Sequence, residues 1–252
     1  MKILMIDVGG TNVKLMASGQ EGRRKIPSGK SLTGPQMVKL VLKEAEDWEF
    51  DAITIGYPSQ VINGKPAREP FNLGNGWLNF NYTKAFRRPV RFINDAAMQA
   101  LASYEKGRML FLGFGTSTGA TLISDDVILP FEIGMLRLTR TEHFMDRLSN
   151  DALRRTGLKR WTQSALQAIE IMRDMFKPDD IVIGGGNGKK IEPIPKGCRH
   201  RDNQAAFAGA TRLWPGSDML AEPYGASWRI RKRVGNRLVH ATKMARQPSP
   251  PK

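Results

Sequence analysis

The sequence predicts an α/β chain with mixed sheets, organised as two related lobes. A repeat is the main reason. Residues 2–18, KILMIDVGGTNVKLMAS, align without a gap on residues 108–124, RMLFLGFGTSTGATLIS, at an offset of 106. Each copy is a basic residue, a mostly apolar run of five, a Gly/Thr-rich turn and a second strand-like run ending in Ser. Two ordinary β-hairpins would leave the same trace; two lobes, each with one phosphate-binding turn, is the fuller reading. The second reason is alternation, since strand-like runs are separated by stretches with helical spacing. The third is size. The chain has 252 residues, 40% of them hydrophobic, which suits one large domain or two small ones at about 100–200 residues each.

The elements follow in order. After the first copy, residues 36–47 place Met37, Val38, Leu40, Val41 and Ala45 at helical spacing. AITIGYP (52–58) is a short β-branched run stopped by Gly and Pro. Residues 61–80, rich in Gly and Asn with Pro66, Pro70 and Trp77, form a loop. VRFIND (90–95) is a strand ending at Asn-Asp, and 96–104 has helix-forming composition. After the second copy, Leu166, Ile169, Met172 and Phe176 lie on one stripe of a helix over 162–176, which Pro178 ends. DIVIGGG (180–186) is a buried strand running into three glycines, and QAAFAGATRLW (204–214) is a small-residue helix. From about residue 215 the core pattern fades, and prolines 248, 250 and 251 mark a frayed end. The expected division is an N-terminal lobe over 1–106, a C-terminal lobe over 107–220 and a basic tail over 221–252.

Composition excludes several classes. Forty per cent hydrophobic content rules out wholesale disorder. No apolar run approaches the ~18–20 residues that cross a bilayer, so no membrane association is expected. MKILMIDVGG is a buried strand meeting a turn rather than a secretion signal. One cysteine, Cys198, excludes a disulfide scaffold and a multi-Cys zinc site, and Cys198-x-His200 is too sparse for a metal. The expected setting is cytoplasmic, and no zinc is expected. The net charge is +15, of which +7 falls in 221–252 through residues such as Arg229, Arg231, Lys232, Arg233 and Arg237. A basic body favours a nucleotide, polyphosphate or nucleic acid partner; a solvated terminus is the plain alternative. Trp228 stands alone among those cations, so nucleic acid is not the expected partner.

The chemistry concentrates at four places. In DVGGTNVK, Asp7 can hold Mg²⁺ through water, Gly9 and Gly10 let backbone amides approach a phosphate, Thr11 adds a hydroxyl, and Lys14 a cation. Asn12 lies in the same turn. Asn94-Asp95 ends a strand, where α/β proteins place ligand-facing groups. Asp95 there suits a general base, and Asn94 suits either a substrate contact or a helix cap. Gly184, Gly185 and Gly186 follow a β-branched strand and can lie flat against an adenine or ribose. Two other signals fail. Gly29-Lys30-Ser31 ends like a Walker A loop, but Arg24 stands where its first Gly is needed. Gly113-x-Gly115-x-x-x-Gly119 is one residue too long for a dinucleotide fingerprint.

Together these residues resemble the ROK family of sugar kinases and regulators over residues 2–214. DVGGTNVK resembles the family's phosphate-1 motif, GFGTSTGA its phosphate-2 motif, IVIGGG its adenosine motif, and IND the strand end that carries the catalytic Asp. GYPSQVINGK, NLGNGW and NQAAFAGA are most similar to the polyphosphate/ATP glucokinase branch. The resemblance implies a duplicated, ribonuclease H-like (actin-like ATPase/hexokinase) fold with two lobes and an interlobe cleft. It implies Mg²⁺-dependent phosphoryl transfer from ATP or polyphosphate to the 6-hydroxyl of a hexose, and a homodimer. Asp95 would be the base; Asn94, Gly56, Pro58, Ser59, Asn72 and Glu132 would line the sugar side. Gly115, Thr116 and Ser117 would face the phosphate from the second lobe.

One departure bears on substrate. The family His that follows Glu-x-Gly is Met135 here, and a thioether cannot donate a strong hydrogen bond to a sugar hydroxyl. A bound hydroxyl left unpaired costs ~1–3 kcal/mol. His143, nearby in TEHF, reads as a surface helix residue. No helix-turn-helix is expected before the first strand, which removes the DNA-binding part of a repressor. A catalytically weak sugar- or polyphosphate-binding protein of the same fold is the alternative to a kinase.

Overall fold

The computed structural model describes residues 1–201, 206–234 and 237–240. The chain opens with β1 (Ile3–Val8), buried at every position, and β2 (Asn12–Ala17), which alternates half-buried and buried side chains. Then come β3 (Arg24–Pro27), α1 (Gly34–Glu44) and β4 (Ala52–Tyr57). A small hairpin of β5 (Val61–Ile62) and β6 (Lys65–Pro66) precedes α2 (Tyr82–Phe86), β7 (Val90–Asn94) and α3 (Asp95–Ser103). The second half begins with β8 (Met109–Phe114), β9 (Thr118–Ser124) and β10 (Val127–Phe131). It continues with α4 (Phe144–Leu148), α5 (Asn150–Phe176), β11 (Asp180–Gly184), a 3₁₀ turn at Gly188–Lys190 and β12 (Cys198–His200). Finally come α6 (Ala206–Thr211), β13 (Met219–Tyr224), β14 (Ser227–Val234) and β15 (Arg237–Val239).

The sheets show the duplication directly. The first has the order β3-β2-β1-β4-β7, and the second contains the run β10-β9-β8-β11-β12. In each, the central strand pairs antiparallel with the next strand in sequence and parallel with a later one. In each, a hairpin edge lies on one side and two parallel strands on the other. The repeat is therefore one topology used twice. This is the duplicated ribonuclease H-like arrangement, an α/β fold of two lobes.

Helices α3 and α6 pack together between the sheets. Their close approach requires Gly209, where a Cβ would overlap the carbonyl oxygen of Met98. A buried polar pair locks α6 to β4: Thr54 Oγ1 donates to the Ala210 carbonyl at 2.9 Å, and Trp214 Nε1 donates to Thr54 Oγ1 at 2.9 Å. One apolar core spans both sheets around α3, and a second lies under α5 in the C-terminal lobe.

Several regions depart from the sequence reading, among them the β5–β6 hairpin inside the expected loop over 61–80. Helix α5 starts twelve residues before the expected 162, with a non-helical break at Gly157 (φ 77°). Its first half carries Arg154, Arg155, Lys159 and Arg160, so the apolar stripe that betrays a helix is thin there. β3, an edge strand, and β10, which lies between β9 and β14, are short and show no clear alternation. The largest difference is beyond residue 215. Where the sequence predicts a tail over 221–252, residues 219–234 form a hairpin, 237–239 a short third strand, and β14 joins the second sheet beside β10. Trp228 and Ile230 are fully buried, which is what a run dominated by Arg and Lys concealed. Prolines 248, 250 and 251 and residues 203–205 of NQAAFAGA lie outside the described residues. No described helix is long and apolar enough to cross a membrane.

Candidate active site

A cavity of about 320 Å³ lies between the lobes, and most residues singled out from the sequence line it. The N-terminal lobe contributes the turn between β1 and β2. Gly9 N–H donates to the Asn12 carbonyl at 3.1 Å, and a Cβ at Gly9 would stand 2.9 Å from that oxygen. The end of β3 braces the turn: Ser28 N–H donates to the Thr11 carbonyl at 3.0 Å and Ser28 Oγ to the Gly9 carbonyl at 2.6 Å. Asp7 and Lys14 are cross-strand partners, and Lys14 Nζ lies 3.0 Å from Asp7 Oδ2. Gly9, Gly10, Thr11, Asn12, Asp7 and Lys14 all line the cavity.

The second lobe offers the matching turn between β8 and β9. Gly115 N–H donates to the Ser117 carbonyl at 3.1 Å, and Gly115, Thr116 and Ser117 line the cavity. The glycines after β11 divide in role. Gly185 (φ 78°) presses on the Phe114 backbone so closely that a Cβ would overlap it. Gly186 meets nothing within 4 Å. Both line the cavity, whereas Gly184 does not; it is buried against the Phe111 ring, so its lack of a side chain serves packing.

At the end of β7, Asn94 and Asp95 take separate tasks. Asn94 Oδ1 accepts from Ala97 N–H at 3.1 Å, capping α3, and its Nδ2 donates to the Ser59 carbonyl at 3.3 Å. Asp95, the first residue of α3, accepts from Ala96 N–H at 2.8 Å and faces the cavity. Burial, and after it the neighbouring Asp7 carboxylate, push its pKa up to about 8; Glu132 adds to this, while the Ala96 amide and Lys14 oppose it. A carboxyl held in this way is poised to exchange a proton near neutral pH.

On the remaining wall, Pro58, Asn72 and Glu132 line the cavity. Burial raises the Glu132 pKa, and Arg68 works against that rise. Gly56 and Ser59 do not reach the cavity. Gly56 makes room for Met98, and Ser59 is buried, donating to the Glu69 carbonyl at 3.4 Å. Glu69 shapes this wall from behind, accepting from the backbone N–H groups of Gly76, Trp77 and Leu78 at 3.1 to 3.3 Å. Met135 is 69% exposed and outside the cavity. His143 caps α4, its backbone N–H donating to Asp146 at 2.7 Å. Cys198 accepts from Arg173 at 3.2 Å, away from the cleft.

Two polar lining residues were missed. Gln99 lies one helical turn beyond Asp95 on α3, so i, i+4 spacing from the candidate base could have found it. Asn150 left no local signal. It is brought in by its N–H bond to the Gly115 carbonyl at 2.9 Å and accepts from Asn187 Nδ2 at 2.6 Å.

The donor set suits a hard divalent cation. Among the described residues no cluster of three His, Cys, Asp or Glu side chains is arranged to hold a metal. Mg²⁺, however, is commonly held by one or two carboxylates plus water and substrate phosphates. Asp7, at the end of β1 beside the glycine turn and with Asp95 nearby, offers oxygen ligands of that kind.

No protein-family model matches the chain, and no curated protein matches it by sequence. Solved structures do resemble it. The inorganic polyphosphate/ATP-glucomannokinase of Arthrobacter sp. strain KM superposes with a TM-score of 0.71 at 22% identity, covering 83% of this chain and 96% of that one. A ROK family glucokinase from Streptomyces griseus, in complex with glucose and AMPPNP, gives 0.69 at 14% identity over 84% and 99%. A ROK family transcriptional regulator, a homolog of the E. coli MLC protein, gives 0.63 at 15% identity over 83% and 76%. At such identities the likeness is one of architecture. The chain has the actin-like fold shared by the ROK sugar kinases and their regulator relatives.

Proposed function

We propose that this chain is a sugar kinase that transfers the terminal phosphoryl group of ATP or polyphosphate to the 6-hydroxyl of a hexose. The observation that carries the reading is the meeting of Asp95 with both Gly/Thr turns in one interlobe cavity. Phosphoryl transfer asks for a positioned acceptor, a proton acceptor and dense neutralisation of phosphate charge. In this reading Asp95 takes the hydroxyl proton as the sugar oxygen bonds to phosphorus and the bond to the donor's bridging oxygen breaks. The Gly10 amide, the hydroxyls of Thr11, Thr116 and Ser117, and the Lys14 ammonium receive the phosphoryl oxygens, in turns that the Gly9 and Gly115 amides hold closed. Asp7 would hold Mg²⁺, which when bound supplies further neutralisation of the transferred group. Glu132 and Asn72 orient the sugar, while Asn94 holds Asp95 in place by capping α3. Closing of the lobes would exclude water and limit donor hydrolysis. Cytoplasmic location and a homodimer belong to the same proposal.

The test is a coupled assay over glucose, mannose, fructose and N-acetyl sugars with each donor. Asp95→Asn should lose about 10²–10⁴-fold in turnover. A loss below about tenfold rejects Asp95 as the base.

The position of Met135 favours a second reading. The residue that would donate to a sugar hydroxyl is replaced by a thioether that points to solvent, which suits a weakly catalytic sugar- or polyphosphate-binding protein. Calorimetric binding of sugar or polyphosphate without turnover across the whole panel would select it.

A further inference from the structure

The hairpin after residue 215 forms a surface that the cleft does not explain. Arg229, Arg231 and Arg233 alternate along β14, so they share one face at about 6.6–6.8 Å intervals. Trp228 and Ile230, on the opposite face, are fully buried, which fixes the register and holds the arginines outward. Glu222 is the one acid in the sequence between 219 and 240, and it pairs with Arg231. Arg229 and Arg233 are exposed, and the Arg229 guanidinium stacks 3.7 Å over the Tyr224 ring. The face is rigid at its tip as well. Asn63 N–H donates to the Gly225 carbonyl at 2.8 Å, and Gly225 N–H donates to Asn63 Oδ1 at 3.1 Å, tying the hairpin to the β5–β6 turn of the first lobe.

We infer that this open face of β14 is a second binding site for inorganic polyphosphate, outside the catalytic cleft. A row of fixed guanidinium groups complements a chain of repeated phosphates. The face lacks what a nucleic acid would also need. Trp228 is buried and Tyr224, although 53% exposed, has one ring face taken by Arg229, so among the described residues this face offers no series of aromatic rings on which successive bases could stack. The neighbouring strand β10 pairs with β14 at Val127 and runs to Phe131, with Glu132 next in the cavity wall. Phe131 itself lines the cavity, so Arg229 lies about 14 Å along the strand from the cleft. A long donor chain held here has its end kept near the site of transfer, which raises its effective concentration there. The donor role rests on the kinase reading; the binding role does not.

Direct binding of long-chain polyphosphate to the full chain, measured by calorimetry over a salt series, tests this. Arg229→Gln with Arg233→Gln leaves the Arg231–Glu222 pair in place. It should weaken binding about tenfold and flatten the salt dependence, because two phosphate contacts are lost. Arg229→Lys with Arg233→Lys should retain most of the affinity, which separates charge from folding. Unaltered affinity in the double Gln variant overturns the proposal, as does tighter binding of a single-stranded RNA of equal charge. If the double Gln variant loses polyphosphate binding while the native chain phosphorylates no sugar with any donor, the kinase reading falls and the second site stands.

Discussion

The hydroxyls of Thr11 and Thr116 lie 3.2 Å apart, one on each lobe's glycine turn. They join the two copies of the internal repeat across the cleft. In the proposed function the same two hydroxyls would face the donor phosphate from the two lobes. Thr11→Val and Thr116→Val should each raise donor KM about fivefold with little change in sugar KM, the worth of roughly one hydrogen bond. Steady-state kinetics with varied donor would show it; a change confined to sugar KM would contradict the placement.

The raised pKa of Asp95 predicts a pH-dependent rate. The base must be ionised, so kcat/KM should rise through an apparent pKa near 8 in the free protein. Lys14 holds that pKa down, so Lys14→Met should move the profile to higher pH. A profile flat from pH 6 to 9 would dissociate Asp95 from the chemistry.

The same group affects stability. Its folded pKa, about 8, lies above its ordinary 3.8, so the folded state binds the extra proton between those values. Stability from this group is therefore lost as pH rises from about 4 to about 8. Asp95→Asn should melt higher than the native chain at pH 8 and by a smaller margin at pH 5, as thermal unfolding at both values would reveal.

Gly185 and Gly186 should respond differently to alanine. At Gly185 the positive φ and the overlap with the Phe114 backbone predict a fold destabilised by about 2 kcal/mol or more. At Gly186 a methyl meets no protein atom, so stability should hold while donor KM rises. Urea denaturation alongside donor titration separates the two.

Trp228 tests whether the hairpin belongs to the fold. Its fully buried ring joins the core between the sheets, so Trp228→Ala should cost about 3–5 kcal/mol. A cost below about 1 kcal/mol, measured by urea denaturation, would mean that the hairpin is an appendage.

Local chemistry was enough to read the repeat, the two turns and the Asp at the end of β7. Glycine-rich turns and strand ends follow from short-range backbone geometry, and β-branched or apolar runs announce buried strands without reference to anything distant. The division of labour between Asn94, which caps, and Asp95, which faces the cavity, follows from adjacent positions at a helix start. Tertiary structure decided the rest. Asn150 lies 35 residues from Gly115 and joins the site only through a backbone hydrogen bond that no sequence window contains. Gly56, Gly184 and Ser59 look identical in sequence to residues that face a ligand, yet close packing against Met98 and Phe111 and a bond to the Glu69 carbonyl turn them inward. β14 is the clearest case. An antiparallel strand with one solvated face needs apolar residues on one side only, so alternate Trp, Ile and Arg residues read as a charged run until pairing with β10 and β13 sets the register and turns Trp228 and Ile230 into the core between the sheets.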